Sequence, residues 1–328
     1  MKKTLIIHGG MHKTGSSVIQ RTLYANRQEL LRKGILYPMT GLIHDSQIGH
    51  RHYGFMKALE NSERSHDLFS QFNKEVDESG CNVVILSHED ILSPKQSILD
   101  GVKLLTENYD IKLICYVRDP IQYFNAKYKE WVRRQKYAGE PAEFVIEHLN
   151  YLEWDKLLVP WFEHLPKHNI VVRKYDRKSL FNQSSIDDYC EMLSKHWDIN
   201  IKEYLSKLPE SINVGLSNKE TLLVLMKNKY FLNQLDTESS RSKFLDLMAN
   251  IKNEEKDGLV LSKELTRQIK GRNWHARHYF QKNLSINFDL PPVDELVFDN
   301  SYNDEGLRVE YKRAIATILS TSPSISNN

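Results

Sequence analysis

The chain has 328 residues, 40% apolar and 27% charged, with 45 basic against 43 acidic side chains and a formal net charge of +2. A chain of that length buries one large core or two modest ones, and the balance is that of a globular protein. The near-zero net charge excludes holding nucleic acid or anionic lipid by counterion release alone, so any anion has to be bound locally.

Cys81, Cys115 and Cys190 are far apart, odd in number and outside any CxxC or Cys/His ligand spacing. They predict neither a disulfide framework nor a zinc site, and they suit a reducing compartment. MKKTLII carries two lysines but only three apolar residues before His8, too few for a signal peptide or a membrane span, which predicts a cytoplasmic protein. The β-branched runs TLII (4–7), NVVILS (82–87), IKLICYV (111–117) and NIVVRKY (169–175) alternate with stretches of helical period. The pattern is α/β with a mostly parallel sheet covered on both faces. After about residue 180 the strand signal fades. LLVLMKNKYFL (222–232), FLDLMANIKN (244–253) and WHARHYF (274–280) are spaced as helices. One domain over 1–318 is expected, with its sheet core mainly in 1–180 and a helical cap or extension over about 181–318. The polar 319–328 segment, ending STSPSISNN, reads as a disordered tail.

HGGMHKTGSS (8–17) stands where the first strand must turn into a helix. Gly9 and Gly10 permit a tight turn, and Gly15 permits close approach to a ligand. Ser16 and Ser17 fall in the first helical turn, where unpaired N–H groups and hydroxyls converge, and Lys13 adds a full positive charge. Val18, Ile19, Leu23, Leu30 and Leu31 supply an apolar face for that helix, with Gly34 as its stop. The order differs from a Walker A loop, whose lysine follows the second glycine; here Lys13 precedes Gly15.

GMHKTGSS followed by IQRTLYANRQELLRKGILYP resembles the 5′-phosphosulfate-binding start of the sulfotransferase family, particularly its bacterial members. The resemblance implies a single P-loop-like, three-layer α/β fold with a central parallel sheet flanked by helices. It implies 3′-phosphoadenosine 5′-phosphosulfate (PAPS) as sulfonate donor and PAP as product. The donor would lie on Lys13, Thr14, Gly15, Ser16 and Ser17. A second family element, an arginine after a later strand with a downstream serine on the 3′-phosphate, is similar to IKLICYVRDPIQYFNAKYKEWVRR (111–134) and points to Arg118. The usual serine is replaced by Ala126, with Asn125 beside it as a substitute donor. YLEWDKLLVPWFEHLPKHNIVVRKYDRKSL (151–180) and GRNWHARHYF (271–280) resemble further bacterial segments.

Sulfonate transfer moves a planar SO₃-like group in line between two oxygens, or an oxygen and a nitrogen, as in phosphoryl transfer, and requires no metal. Lys13 and the loop N–H groups stabilise charge on the leaving phosphate. A base must take the acceptor's proton. LSHED (86–90) follows the second strand, where ligands gather in open α/β sheets, and offers Glu89 first, then His88. His12 is another acid/base candidate, or a partner of the loop backbone. His44, His50 and His52 lack a fourth metal ligand and read as a solvated loop with an amphipathic helix behind it. Lys129, Arg133 and Lys136, flanked by Lys127 and Arg134, form a basic stripe that reads as a solvated face or as a guide for an anionic glycan. Trp131, Tyr137, Trp154 and Trp161 suit core packing or sugar stacking. The expected acceptor is a carbohydrate or glycolipid, held by variable loops near 35–60, 136–150 and 200–280. A kinase with a variant phosphate loop and a non-catalytic nucleotide- or glycan-binding protein remain as alternatives.

Overall fold

The computed structural model describes residues 2–45, 49–60, 62–92, 95–206, 215–232, 234–235, 237–251, 258–286, 292–298 and 304–321. In chain order the elements begin β1 (Lys3–His8), α1 (Ser16–Ala25), α2 (Arg27–Arg32), β2 (Ile35–Leu36), β3 (Ile43–Asp45), β4 (Gly49–Arg51), α3 (Tyr53–Glu60) and α4 (Ser62–Ser79). They continue with β5 (Val83–Ser87), α5 (Gln96–Asn108), β6 (Tyr109–Arg118), α6 (Pro120–Arg134), α7 (Pro141–Glu147), α8 (Trp154–His164), β7 (Ile170–Tyr175) and α9 (Ser185–Trp197). The last are α10 (Asn218–Tyr230), α11 (Glu238–Ile251), α12 (Lys263–Arg272), α13 (Trp274–Leu284) and α14 (Glu305–Ser320). The chain forms two compact units, one of Met1–Asp119, Glu153–Ile212 and His275–Phe288, the other of Pro120–Leu152, Asn213–Trp274 and Asp289–Asn328. The helical unit therefore starts at Pro120 and the sheet unit takes back α8, β7 and α9, so neither follows a boundary at 181.

The first unit holds a five-stranded sheet in the order β2-β5-β1-β6-β7, every neighbouring pair parallel. The predicted strands at 4–7, 82–87, 111–117 and 169–175 are its β1, β5, β6 and β7. They form because their apolar runs are long enough for the centre of a covered sheet: Leu5, Ile6, Ile7, Val84, Ile85, Leu113 and Ile114 are all inaccessible to solvent. The chain leaves β1 toward β2 in one direction across the sheet and goes from β5 to β6 in the other. Right-handed crossovers then put α1 and α2 on one face and α5 on the opposite one. α9 joins α1, sharing a core of Ile19, Leu23, Ile186, Tyr189 and Leu193 with Ile6, Ile85 and Ile114 of the sheet. α8 packs on α5. This is the α/β three-layer arrangement expected from the sequence.

Three local readings change. The helix expected to run from Ser16 to Gly34 is two helices, because the Asn26 amide donates to the Thr22 carbonyl (2.8 Å) and breaks the ladder; Leu31 is left partly exposed. Residues 43–45 and 49–51, read as part of a loop, pair as antiparallel β3 and β4, which places His44 opposite His50 in register. β2 also escaped the period test, since two residues show none. α14 reaches Ser320, inside the segment read as a tail; 322–328 lie outside the described residues. So do 46–48, 207–214, 233, 236 and 252–257 of the expected acceptor loops.

The second unit is built of α6, α7, α10, α11, α12 and α14 around Phe124, Tyr128, Val132, Phe144, Leu222, Leu225, Ile269 and Ile315. Ile121, Phe124, Tyr128 and Val132 recur every third or fourth residue, giving α6 one apolar face. Glu140 closes a capping box at the start of α7 and takes a bidentate pair from Arg308 (2.9 and 3.0 Å). Trp131 and Tyr137 pack against this core, while Trp154 and Trp161 are fully buried in the first unit. All four aromatics serve packing. The basic stripe is not a uniformly solvated face: Lys127 is buried beside Glu130, and Lys129 donates to the Leu216 carbonyl (3.2 Å).

Candidate active site

β1 and β5 are neighbours whose following helices lie on opposite faces, so a crevice opens beyond their C-terminal ends. Three segments of the sheet unit meet the chain there: residues 9–15 after β1, 88–91 after β5 and Arg118 at the end of β6. The loop is anchored to β6, with Gly9 N–H donating to Ile114 O and Met11 N–H to Tyr116 O, both at 2.9 Å. Its interior is tied by Thr14 Oγ1 (2.5 Å) and Ser16 Oγ (3.4 Å), both donating to Met11 O. These hydroxyls point into the loop, where they hold its shape at the start of α1.

Two glycines are required here. Gly10 has φ 77° and a Cβ there would lie 2.7 Å from Glu89 Cα, so its bareness lets the loop pack on Glu89. Gly15 caps α1 in the left-handed region (φ 81°). A Cβ on it would meet Ser185 Oγ and Tyr175, so its bareness lets the loop pack on the start of α9 and the end of β7. Lys13, also left-handed (φ 64°), is half-buried, and its carbonyl accepts from Arg118 Nη1 (2.9 Å). Arg118 thus meets the loop from 105 positions away. Its guanidinium lies over the Tyr175 ring (5.7 Å), and burial pushes its pKa below the ordinary value. A partly desolvated cation of this kind gains from an anionic ligand.

The acid/base candidates separate by their hydrogen bonds. His88 is buried, and burial pushes it down to about 4, so the ring is neutral at physiological pH. Its Nδ1 accepts from Asp90 N–H (3.0 Å), so the proton sits on Nε2 and no lone pair is left for a substrate. His88 is therefore a donor and not a base in this arrangement. His12 bonds a side chain, not the loop backbone: its Nε2 donates to Asp90 Oδ1 (2.6 Å). The Glu89 side chain is 8% exposed, its Oε2 accepts no hydrogen bond among the described residues, and Arg51 Nη1 lies 3.8 Å from it.

Behind this front lies a buried polar layer that the sequence reading missed. His8 Nδ1 shares a 2.7 Å hydrogen bond with Ser87 Oγ, which also accepts from Gln20 Nε2 (3.2 Å). His52 Nδ1 accepts from Ser87 N–H (3.1 Å) and its Nε2 donates to Pro38 O (3.0 Å), a structural role. Burial pushes both imidazoles down to about 4. Asp90, Arg51 and His8 all stand within quoted motifs or next to them, but which neighbours they have is set by the strand order. Arg277, in the segment 271–280, lies beside Asp119 and is partly buried, which pushes its pKa down. Among the described residues no group of three His, Cys, Asp or Glu is placed to hold a metal ion. Nor is any described helix long and apolar enough to cross a membrane. Asn125 belongs to the other unit, where its Oδ1 accepts from Val260 N–H (2.9 Å).

No protein-family model matches this chain, and no curated protein does. Among solved structures, a sulfotransferase domain from the curacin biosynthetic pathway is similar at 11% identity, over 83% of this chain and 97% of that one, with a TM-score of 0.39. Mouse sulfotransferase SULT7A1 complexed with PAP is similar at 13% identity over 87% and 86% (TM-score 0.37). Sulfotransferase STF1 from Mycobacterium tuberculosis H37Rv is similar at 12% identity over 62% and 70% (TM-score 0.37). Likenesses this distant leave the reading of the site to the chain's own residues.

Proposed function

We propose that the chain is a sulfotransferase that takes a sulfonate group from PAPS and passes it to a hydroxyl or amine of a carbohydrate or glycolipid. The observation that carries this is the meeting of the two motif segments: Arg118 donates to the carbonyl of Lys13 within a strand–loop–helix anion cradle. The donor set suits a phosphorylated nucleotide, since a partly desolvated guanidinium meets the lysine-bearing loop at the start of α1, with hydroxyls turned inward to brace that loop. PAPS, when bound, supplies an activated sulfonate whose bond to phosphate breaks as the bond to the acceptor oxygen or nitrogen forms.

Lys13 and the N–H groups of Thr14 to Ser17 would hold the 5′ end and stabilise the charge left on the departing phosphate. Arg118 would take the 3′-phosphate. Glu89 is the base, because its Oε2 is buried and accepts no hydrogen bond among the described residues, leaving room for an acceptor proton. His12, oriented by Asp90, is the second acid/base group. His88, with its proton on Nε2, would donate to the acceptor.

A non-catalytic reading has one observation in its favour. Ala126 brings no hydroxyl, and the Asn125 carbonyl oxygen is engaged by Val260, so only the amide NH₂ of Asn125 remains to serve the 3′-phosphate. Calorimetric binding of PAP, with adenosine 5′-phosphosulfate and magnesium ATP as comparisons, tests the donor site. Micromolar PAP binding that exceeds both comparisons and weakens in Lys13→Ala and Arg118→Ala supports it. Absence of PAP binding sinks it, and preference for ATP moves the kinase reading to the front. PAP binding with no turnover in an acceptor screen favours the non-catalytic reading.

A further inference from the structure

The helical unit contains a cavity of about 340 Å³ that the proposed transfer reaction does not use. Its wall is apolar on one side, formed by Val224, Phe244 and Met248, with Leu245 63% exposed beside them. Two cations line it, Arg133 near the end of α6 and Lys227 near the end of α10. Neither side chain has a hydrogen bond or ion pair to any described residue. Burial, with the charge of Lys136 adding to it, pushes the Lys227 ammonium below its ordinary value. The one acid in the lining, Glu220, accepts from Ser217 N–H through its Oε2 (2.7 Å) in the α10 capping box.

Lys227 is half-buried, and a cation partly removed from water without an anionic partner costs free energy, while the exposed Arg133 stands beside it on the same lining. The volume falls in the range of small-molecule sites, which combine apolar walls with a few polar groups that fix orientation. We infer that this cavity binds a monoanion carrying an apolar chain, its head group on Arg133 and Lys227 and its chain against Val224, Phe244 and Met248. Sulfate and carboxylate heads share that chemistry. The inference goes beyond the proposed sulfotransferase reaction and does not depend on it.

The test uses the full chain with octyl sulfate, octanoate, 1-octanol and inorganic sulfate below any micelle concentration, followed by calorimetry and by the methyl resonance of Met248. The expected result is one octyl anion bound per chain with a shift of Met248. Octanol and inorganic sulfate should bind at least about tenfold more weakly, since each lacks one half of the match. Lys227→Met and Arg133→Met keep the alkyl stems and should each weaken the octyl anion by about tenfold or more while leaving octanol unchanged. The comparison of octyl sulfate with octanoate assigns the head. Equal affinity for octanol and the octyl anions, unchanged binding in both variants, an unmoved Met248 or no binding at all would each overturn the inference. PAP titration of the same variants reads the donor site separately, so failure of one reading is distinguishable from failure of the other.

Discussion

The two units place different kinds of buried polar group: neutral amides that donate to carbonyls in the helical unit, titratable side chains at strand ends in the sheet unit. In the helical unit Asn228 donates to the carbonyls of Val132 and Tyr137, Asn273 to that of Leu152, and Glu140 is gripped by Arg308 and Lys229. In the sheet unit His8 Nε2, His88 Nε2 and Glu89 Oε2 are buried with no hydrogen-bond partner among the described residues, and all three lie at the ends of β1 and β5. Buried polar groups without partners lower stability, and these three are titratable groups at the crevice, where they are also available for chemistry. The helical unit shows the alternative, in which polar groups specify helix ends and crossings.

The comparison breaks most sharply if Glu89 is dispensable. Glu89→Gln should lower turnover by about 10²–10⁴-fold while PAP affinity is kept, read by steady-state kinetics and calorimetry. Lys13→Ala should cost about 10²–10³-fold in turnover and also weaken PAP, since it acts on the charge that develops on the leaving phosphate. A Lys13→Ala variant with full turnover would remove the loop from the reaction.

Acid separates the units next. His8, His52 and His88 have an ordinary value of 6.5 but are held near 4 in the folded chain by burial. The unfolded chain takes up these protons first, so stability is intact above 6.5 and falls as the pH drops from 6.5 toward 4, by up to about 3 kcal/mol for each histidine. Single-tryptophan variants reporting from Trp154 or Trp161 in the sheet unit should show this loss, and His52→Gln should blunt it. Trp131 in the helical unit should not follow until lower pH. There, burial pushes the Glu140 carboxyl up, but the hydrogen bonds and charges of Arg308 and Lys229 outweigh it and hold it below the ordinary 4.5. Its contribution is present above 4.5 and is lost as the pH falls through the depressed folded value. Glu140→Ala should cost about 1–3 kcal/mol at neutral pH, seen as a shifted denaturant midpoint, because it removes a cap and the carboxylate that Arg308 grips. Trp131 reporting the same acid loss as Trp154 would erase the distinction between the units.

Much of the sheet was legible because β1, β5, β6 and β7 are each at least five residues long and each carries a run of consecutive apolar residues, a pattern that a covered parallel strand imposes. β2, β3 and β4 were not, since strands of two or three residues are too short to show a period and owe their pairing to neighbours. The loop at 8–17 was legible for a local reason: glycines, a lysine and hydroxyls within ten residues imply a turn with converging donors. The helix break at Asn26 was less so, because a side chain that bonds the carbonyl four residues back competes with the ladder without changing the apolar spacing.

The sequence by itself determined the α/β class and the strand–loop–helix at the N-terminus, because each follows from residue types that are close in the chain, whereas the role of Arg118 was implied only by the resemblance to a family. The tertiary structure decided which groups face them. It set Glu89 against Gly10, His12 on Asp90, Arg118 on Lys13 and Ser185 against Gly15. It also removed His88 from the bases by giving its Nδ1 to the Asp90 amide. Those contacts join residues from two to 170 positions apart. They depend on the strand order β2-β5-β1-β6-β7, which places the ends of β1, β5 and β6 side by side, and local propensity carries no information about that order.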